Sequence, residues 1–387
     1  MDDPKLALWN HFRSLEDPRA EGRNKRHSLQ NIVVLAVVGF ACGMKSFEAV
    51  AEFCEMQKAS LEEVLDLRYG IPSHDTFRRV FETLEPEEFE RRFSSWANAL
   101  RVKPTGEMLE VVPIDGKTIR NSGNSEQRAV HLVSAWAQAR GLILGQVAAE
   151  EKSNEITAIP ILLETLRLEG CIVTIDAMGC QKTIAKAIVE KGAHYQLSLK
   201  ENQPTLLGEV KTFFDSFIDN PSTDVKFDFH EASDKGHGRL ETRRCWTTGD
   251  VEWLENRSDW ESLNSFVRID SERTIRGKKS VETRYFISSR PGASADEALY
   301  AARAHWQIEN NLHWSLDVTF GEDRACLRDR TLAENTSVCR RLAMNALRVH
   351  PDFNSRKIKG SPAKATRAAA FDLNFRKNLI VKIASNA

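Results

Sequence analysis

Cysteine is scarce and poorly placed for structural work. The chain of 387 residues has seven, an odd number, and they are scattered from Cys42 to Cys339 with no Cys-x-x-Cys pair. That argues against a disulfide framework or a zinc finger and fits a reducing cytosol. A long hydrophobic run is also missing. Ile32 to Met44 spans roughly 13 residues where a membrane span needs about 20, so it predicts a buried helix. It begins too far in, after several acidic residues, to be a secretion signal. Excess charge of one sign is absent as well: 54 basic against 55 acidic residues leave a net charge of −1. Any affinity for a polyanion must then come from local clusters. There is no internal repeat and no low-complexity tract. With 41% hydrophobic and 28% charged residues, the chain has enough apolar material for two or three folded domains.

Several catalytic signatures are missing too. Gly116-Lys117-Thr118 resembles the end of a phosphate-binding loop, but Val111 stands where that motif requires glycine. His305 and His313 are too far apart for a zincin pair. No Gly-x-Ser-x-Gly elbow is present.

What is present begins with about a hundred residues of helical pattern. Ile32–Cys42 reads as an apolar helix ended by Gly43, and Ser46 caps a second with Phe47, Val50, Ala51 and Cys54 on one face. A third is expected near Leu61–Leu67. Pro72-Ser73 opens a fourth through Leu84, and Phe89, Phe93 and Trp96 mark a fifth. Past Met108 the pattern alternates. Strands are expected at Leu109–Ile114, His131–Ala137, Leu142–Ala148, Cys171–Ile175 and His194–Leu199. Helices are expected from Asn154 to about Leu168, at Lys182–Lys191 and near Leu206–Phe217. That alternation implies an α/β sheet. From about 222 to 290 period-two patterns replace it, with a hairpin turn at Arg276–Lys279, so this stretch reads as a β-rich insertion. Ser294 and Glu297 form a candidate capping box for a helix reaching about Trp314. Another helix covers Leu332–Val349. About eight basic residues against Asp372 alone, from Arg356 to Lys382, mark 351–387 as a basic tail, either a nucleic-acid contact or a solvated end.

Asp115 and Asp176 each close an apolar strand, at the edge of an open sheet where ligands bind. Taken singly, either is an ordinary turn residue. Glu309 lies on the late helix with His305 and His313 one turn away on the same side. The Ser73–Leu84 helix could be the second half of a helix-turn-helix presenting Arg78 and Arg79, or part of a plain helical bundle. Lys235 and Arg239 belong to a basic hairpin suited to clamping phosphates. Lys117, Lys200 and Asn202 follow strand ends and could touch a scissile phosphate.

Taken in order, the motifs Asp17-Pro18-Arg19, Pro72-Ser73-His74-Asp75-Thr76-Phe77-Arg78-Arg79, Ile114-Asp115-Gly116-Lys117-Thr118, Thr174-Ile175-Asp176-Ala177-Met178-Gly179, Leu199-Lys200-Glu201-Asn202-Gln203 and Lys235-Gly236-His237-Gly238-Arg239 resemble one family. The most specific stretch is His305-Trp306-Gln307-Ile308-Glu309-Asn310-Asn311-Leu312-His313-Trp314 with the six residues that follow. The resemblance, over nearly the whole chain, is to bacterial insertion-sequence DDE transposases of the H-repeat-associated (Rhs element) type. It implies an α/β, RNase H-like catalytic core at 105–350, interrupted by the β-rich insertion, after an all-helical domain at 1–104. It implies that Asp115, Asp176 and Glu309 are the catalytic carboxylates and bind metal, two Mg²⁺ ions with Mn²⁺ as a substitute. Two such ions about 3.5–4 Å apart serve both sides of a phosphodiester displacement. The resemblance further implies double-stranded DNA, at element ends and target, as partner, with a homodimer on DNA, and His305 is placed among the DNA contacts. The wider group's Tyr, Arg and Lys around the glutamate are not matched: Ala302, His305 and Leu316 hold those positions. The rival readings are a metal-dependent nuclease without strand transfer and a DNA-binding protein that has lost transposition.

Overall fold

Three serines open the N-terminal helices. The Ser28, Ser46 and Ser73 hydroxyls accept from the backbone N–H groups of Asn31, Ala49 and Thr76 at 3.1, 3.3 and 3.3 Å, which satisfies donors the first turn cannot. The structure is a computed structural model describing residues 8–19, 25–101, 109–149, 155–218, 220, 224–236 and 239–384. The expected cap Asn154, the expected boundary residue Met108, and His237 and Gly238 lie outside the described residues. The helical region comprises α1 (Leu8–Phe12), α2 (Leu29–Ala41), α3 (Phe47–Met56), α4 (Lys58–Glu62), α5 (His74–Thr83) and α6 (Pro86–Leu100). The third helix is shorter and earlier than its pattern implied. Leu65 and Leu67 are still buried, but in the turns that follow it.

One sheet of nine strands follows. Its elements are β1 (Glu110–Thr118), β2 (His131–Ala137), β3 (Leu142–Ala148), α7 (Glu155–Thr165), β4 (Cys171–Ile175), α8 (Lys182–Glu190), β5 (His194–Leu199), α9 (Pro204–Phe217), β6 (Asp228–Gly236), β7 (Arg239–Thr248), β8 (Ser265–Ile275) and β9 (Lys278–Ser288). The strand order is β3-β2-β1-β4-β5-β9-β8-β7-β6. β1, β4 and β5 run parallel, and every other pairing is antiparallel. The β-rich stretch is therefore an extension of the core sheet, joined through β9 against β5. Its hairpin turns on two residues: Ile275 pairs with Lys278, and Arg276 and Gly277 have φ of 50° and 78°, the positive values a two-residue turn requires.

The chain then forms α10 (Ala295–Gln307), one π-helical stretch (Ile308–His313), α11 (Trp314–Val318), α12 (Arg330–Arg348), α13 (Pro362–Phe371) and α14 (Leu373–Ala384). The expected capping box does not form. Asp228 accepts from the Ala295 N–H at 2.7 Å, while the Ser294 hydroxyl donates to Asp296 and Glu297 faces Arg290. The stretch expected as a basic tail is corrected too. Its residues from 362 to 384 are helical, with Phe375, Leu379, Ile380 and Ile383 buried in the same core as α2. Apolar spacing in that stretch outweighs its basic composition.

Helix α12 joins the two regions. It packs on α2, α5 and α6 on one side and on β3 on the other. Its Asn335 amide donates to the Phe81 and Leu84 carbonyls at 3.0 and 2.8 Å. Its Asn345 donates to the Ile143 carbonyl at 2.8 Å and accepts from the Ile143 N–H at 2.9 Å, so a side chain covers part of the open edge of β3. Leu342 is fully buried in this helix. Leu342→Ala is expected to destabilise the protein by about 2–5 kcal/mol. Because α12 serves both regions, thermal unfolding followed by circular dichroism is expected to stay a single transition at a lower temperature. Two separated transitions would refute the shared core.

Candidate active site

Alternation along β1 and β4 determines which side chains share a face. Val111 and Ile172 are register partners and pack under Ala301 and Ala304 of α10. Pro113 and Asp115, two and four places along β1, and Thr174, two places along β4, therefore face the same helix. Val112, Ile114, Val173 and Ile175 enter the main core on the opposite face. β1 is longer than expected. Its pairing with β4 ends at Ile114–Ile175, but its pairing with β2 runs on through Asp115–Ser134 to Thr118–His131. Asp115 thus lies within a strand, where the sheet narrows, and Asp176 just past the end of β4.

The helix above them is irregular where it matters. Residues 308–313 form a π turn carrying Glu309, a feature common at functional sites. His305, just before it, lies 3.3 Å from the Thr174 hydroxyl through Nδ1. His313, at its end, has Nδ1 3.6 Å from Asp115 Oδ2, beyond hydrogen-bond length. Burial pushes the His313 ring down to about 4, helped by Arg341 and Lys117, so the ring is neutral, and its Nε2 is buried without a hydrogen-bond partner. Burial likewise keeps His305 below its ordinary value.

Asp115 shows the charge crowding of the site. Burial pushes its carboxyl up to about 7, the Gly116 N–H opposes this, and Glu155, Glu309 and Asp176 each raise it further. Asp176 instead accepts from the Met178 and Gly179 N–H groups at 3.0 and 3.3 Å. Glu309 is exposed, and its carboxylate has neither a hydrogen bond nor an ion pair among the described residues. As the side chains lie, no three His, Cys, Asp or Glu groups among the described residues stand close enough to hold one ion in common. The donor chemistry nevertheless suits a hard divalent cation: oxygen ligands, mutual repulsion around Asp115 and one carboxylate free to turn inward.

Two groups of residues near Asp115 had no signal in the sequence reading. Thr118 Oγ1 lies 2.8 Å from His131 Nδ1, and His131 Nε2 lies 2.8 Å from Glu155 Oε1. A carboxylate accepts from Nε2–H, so in the neutral ring Nδ1 receives the threonine O–H. This pair fills the space beside Gly116, where an added Cβ would meet Glu155 Oε1 at 2.1 Å and His131 Nε2 at 2.5 Å. The second group surrounds Lys117. Its ammonium, expected to meet a phosphate, is turned inward against Asp317, Asp323 and Glu322 at 2.8, 2.9 and 3.3 Å. Burial alone would raise the Glu322 carboxyl, but Arg341, Lys117 and Arg340 hold it down to about 2. Three carboxylates between 317 and 323 are visible in the sequence; their partner, some 200 residues earlier, is not.

The remaining candidates are dispersed. Lys200 and Asn202 line a groove of about 970 Å³ beside Asp176, together with Lys211, Arg268 and Arg284. The Asn202 amide donates to the Ala177 carbonyl and so steadies the Asp176 loop. A second groove, of about 290 Å³, is lined by Arg239, Arg243, Arg273, Arg303 and Trp306 and shares Arg284 with the first. Arg239 pairs with Glu241 at 2.9 Å, and Lys235 is exposed on β6. Arg78 and Arg79 are exposed on α5 in the helical region, Arg78 paired with Glu82 at 2.7 Å.

Because the folded protein holds the Asp115 carboxyl above its ordinary value of 3.8, the ionised form destabilises the metal-free fold. That cost is complete above pH 7 and fades as pH falls toward 4. Asp115→Asn is therefore expected to raise the melting temperature by several degrees at pH 8 and to change it little near pH 4. A gain that grew on acidification would contradict the assignment. Gly116→Ala is expected to displace the Glu155–His131 pair, read as loss of the downfield His131 ring N–H resonance.

Known proteins match this chain over most of its length. The family model described as "Transposase DDE domain" matches residues 106–346, and the model described as "DDE_Tnp_1-associated" matches residues 9–97. The protein of Escherichia coli (strain K12) named "H repeat-associated putative transposase YhhI" is 34% identical over 376 residues, 95% of this chain and 96% of that one. A protein of Xanthobacter autotrophicus, encoded in the dhlA 3′ region, is 42% identical over 280 residues, 72% of this chain and 92% of that one. Among solved structures, the piggyBac transposase synaptic complex with hairpin DNA aligns over 100% of this chain and 84% of that one, at 10% identity and a TM-score of 0.38, too slight a likeness to build on. On the span and identity of the sequence matches, the chain belongs to the DDE transposase family, among relatives of the H-repeat-associated type.

Proposed function

We propose that this protein cleaves DNA at the ends of a mobile element and joins those ends to target DNA, with Asp115, Asp176 and Glu309 as the catalytic carboxylates. The observation that carries this reading is their placement: Asp115 in β1 and Asp176 just past β4 follow the strand segments that pack under α10, whose continuation carries Glu309, and the Asp115 carboxylate, disfavoured first by burial, is disfavoured further by both of the others. In support of an RNase H-like core, the first five strands run in the order β3-β2-β1-β4-β5 with β1, β4 and β5 parallel. We place the domain boundaries at 104/105 and 350/351, and the β-rich insertion at 222–290.

Asp115, Asp176 and Glu309 would hold divalent metal, Mg²⁺ by their oxygen donors, and the bound metal would activate the attacking oxygen and stabilise the leaving one. The rest of the work falls to the chain's own groups. The Met178 and Gly179 N–H groups fix one oxygen of Asp176, and the other is left for a ligand. His313, neutral and facing Asp115, fills the site without adding a competing cation. Lys200, Lys211, Arg268 and Arg284 line the groove that leads away from Asp176, where they can hold the phosphates on either side of the scissile bond. The arginines of β7 to β9 pair mostly with neighbouring glutamates. Arg239, Arg243 and Arg273 share the buried Glu241, whereas Arg284–Glu282 is a surface pair of the kind that contributes about 0–1 kcal/mol, so a polyanion can compete for Arg284. Arg78 and Arg79 offer a separate DNA contact on the helical region, and Lys235 and Arg239 one at the end of the extended sheet. Hydrolysis at an element end leaves a 3′-hydroxyl, which then attacks a target phosphodiester and expels its 3′ oxygen. Joining two ends in one event calls for two such sites, which supports a homodimer on double-stranded DNA in the bacterial cytoplasm. Among the described residues no helix is long and apolar enough to cross a membrane.

The test is nicking and joining of labelled DNA carrying the element's terminal sequences, in Mg²⁺ and in Mn²⁺. Wild type is expected to give both nicked and joined products. Asp176→Ala and Glu309→Gln are each expected to slow both steps by more than about 100-fold, the loss a 1 Å misplacement alone can cause, while DNA binding persists. Nicking without joined product would establish a nuclease. Binding without cutting by wild type and variants alike would establish a DNA-binding protein.

A further inference from the structure

The π turn that carries Glu309 lacks the regular i→i+4 hydrogen bonding of a helix. Ile308 and Leu312 bury its inner side in the core, and polar contacts hold its two ends. One end is tied to β4 through His305 and Thr174 at 3.3 Å. The other passes directly into α11, where Asp317 Oδ1 lies 2.8 Å from the Lys117 ammonium. Lys117 stands two residues after Asp115 on the same face of β1, and only 7% of its side chain is exposed.

That ammonium is held from three directions, since Asp323 and Glu322 also contact it at 2.9 and 3.3 Å. Each contact leads to a further anchor. Asp323 Oδ1 accepts from the Arg120 N–H at 3.3 Å, and the Asp323 carbonyl accepts from the Asn121 amide at 2.6 Å. Glu322, fully buried, accepts from Arg341 and Ser337 of α12 at 2.8 Å each. The end of β1, the Glu309 helix and α12 therefore converge on one lysine.

We propose that Lys117 is a positioning residue: through Asp317, Glu322 and Asp323 it fixes the Glu309 helix against the strand of Asp115, and so sets the separation of the carboxylates that receive the metal. This rests on the metal-site reading above. Removing a ligand's supporting partner typically weakens metal affinity about 10–100-fold, and Lys117 acts at that level without touching substrate or ion.

The test is Mn²⁺ binding by the full chain, read from loss of the free-ion electron paramagnetic resonance signal, with melting temperature and amide exchange measured alongside. Asp317→Asn breaks the link to α11 and leaves Lys117 with two carboxylates. It is expected to weaken Mn²⁺ binding about 10–100-fold, to speed amide exchange across 308–318, and to leave the melting temperature near that of wild type. Should that variant melt early, Asp323→Asn, which cuts a different arm, is expected to weaken Mn²⁺ binding in the same direction. Mn²⁺ affinity equal to wild type in folded Asp317→Asn or Asp323→Asn overturns the positioning role. Asp176→Ala serves as the control for the site itself. If it binds Mn²⁺ as wild type does, the metal-site reading falls, and the positioning role with it; if it alone loses affinity, only the positioning role falls.

Discussion

Burial of the Asp115 carboxyl, with repulsion from Glu155, Glu309 and Asp176 added to it, is the constraint on which this site depends. A like-charged pair closed to about 4 Å, at an effective dielectric of about 20, would cost on the order of 4 kcal/mol. The chain brings Asp115 within the influence of Asp176, Glu309 and Glu155 all the same. Ordinary burial would scatter such groups or neutralise them. Here the backbone holds them instead. Strand alternation orients the two aspartates, and a helix laid across β1 and β4 delivers the glutamate. Burial and these neighbours disfavour the ionised form of Asp115, a cost of the kind accepted where stability is traded for function.

Opposite charge nearby keeps that cost local. Lys117, Arg340 and Arg341 lie among Asp317, Glu322 and Asp323, and both members of the Arg341–Glu322 pair are fully buried. A buried pair of this kind contributes little net stability, but breaking it is costly because it leaves an uncompensated charge. It specifies one arrangement of β1, α11 and α12 and penalises the others. The neutral imidazoles of His305 and His313 fill the remaining space against the sheet without adding to either side of the balance.

Much of this was readable along the chain because it is written in local periods. β2, β3, β4 and β5 fall where their apolar runs begin and end, and the Ser46 and Ser73 caps fall where a short polar residue precedes an apolar helix. Legibility failed where a distant partner decides the outcome. β1 continues past Asp115 only because β2 pairs with it. Ser294 and Glu297 do not close a capping box, because Asp228, arriving from another strand, already occupies the helix end. The inward turn of Lys117 and the Thr118–His131–Glu155 chain link residues far apart in sequence, and no local pattern encodes them. The stretch after 351 misled because composition was weighed where apolar spacing decides.

The way the extended strands attach carries a mechanical consequence. After α9 the chain travels to the far rim first, as β6, and builds back through β7 and β8 until β9 docks on β5. Main-chain hydrogen bonds make that junction, so the outer hairpins cannot swing like a tethered module. They form a stiff cantilever whose attitude follows from sheet twist, roughly 20–25° per strand and so roughly a right angle over four steps. A load on the distant tip would be borne at β5, the strand that leads straight into Lys200 and Asn202.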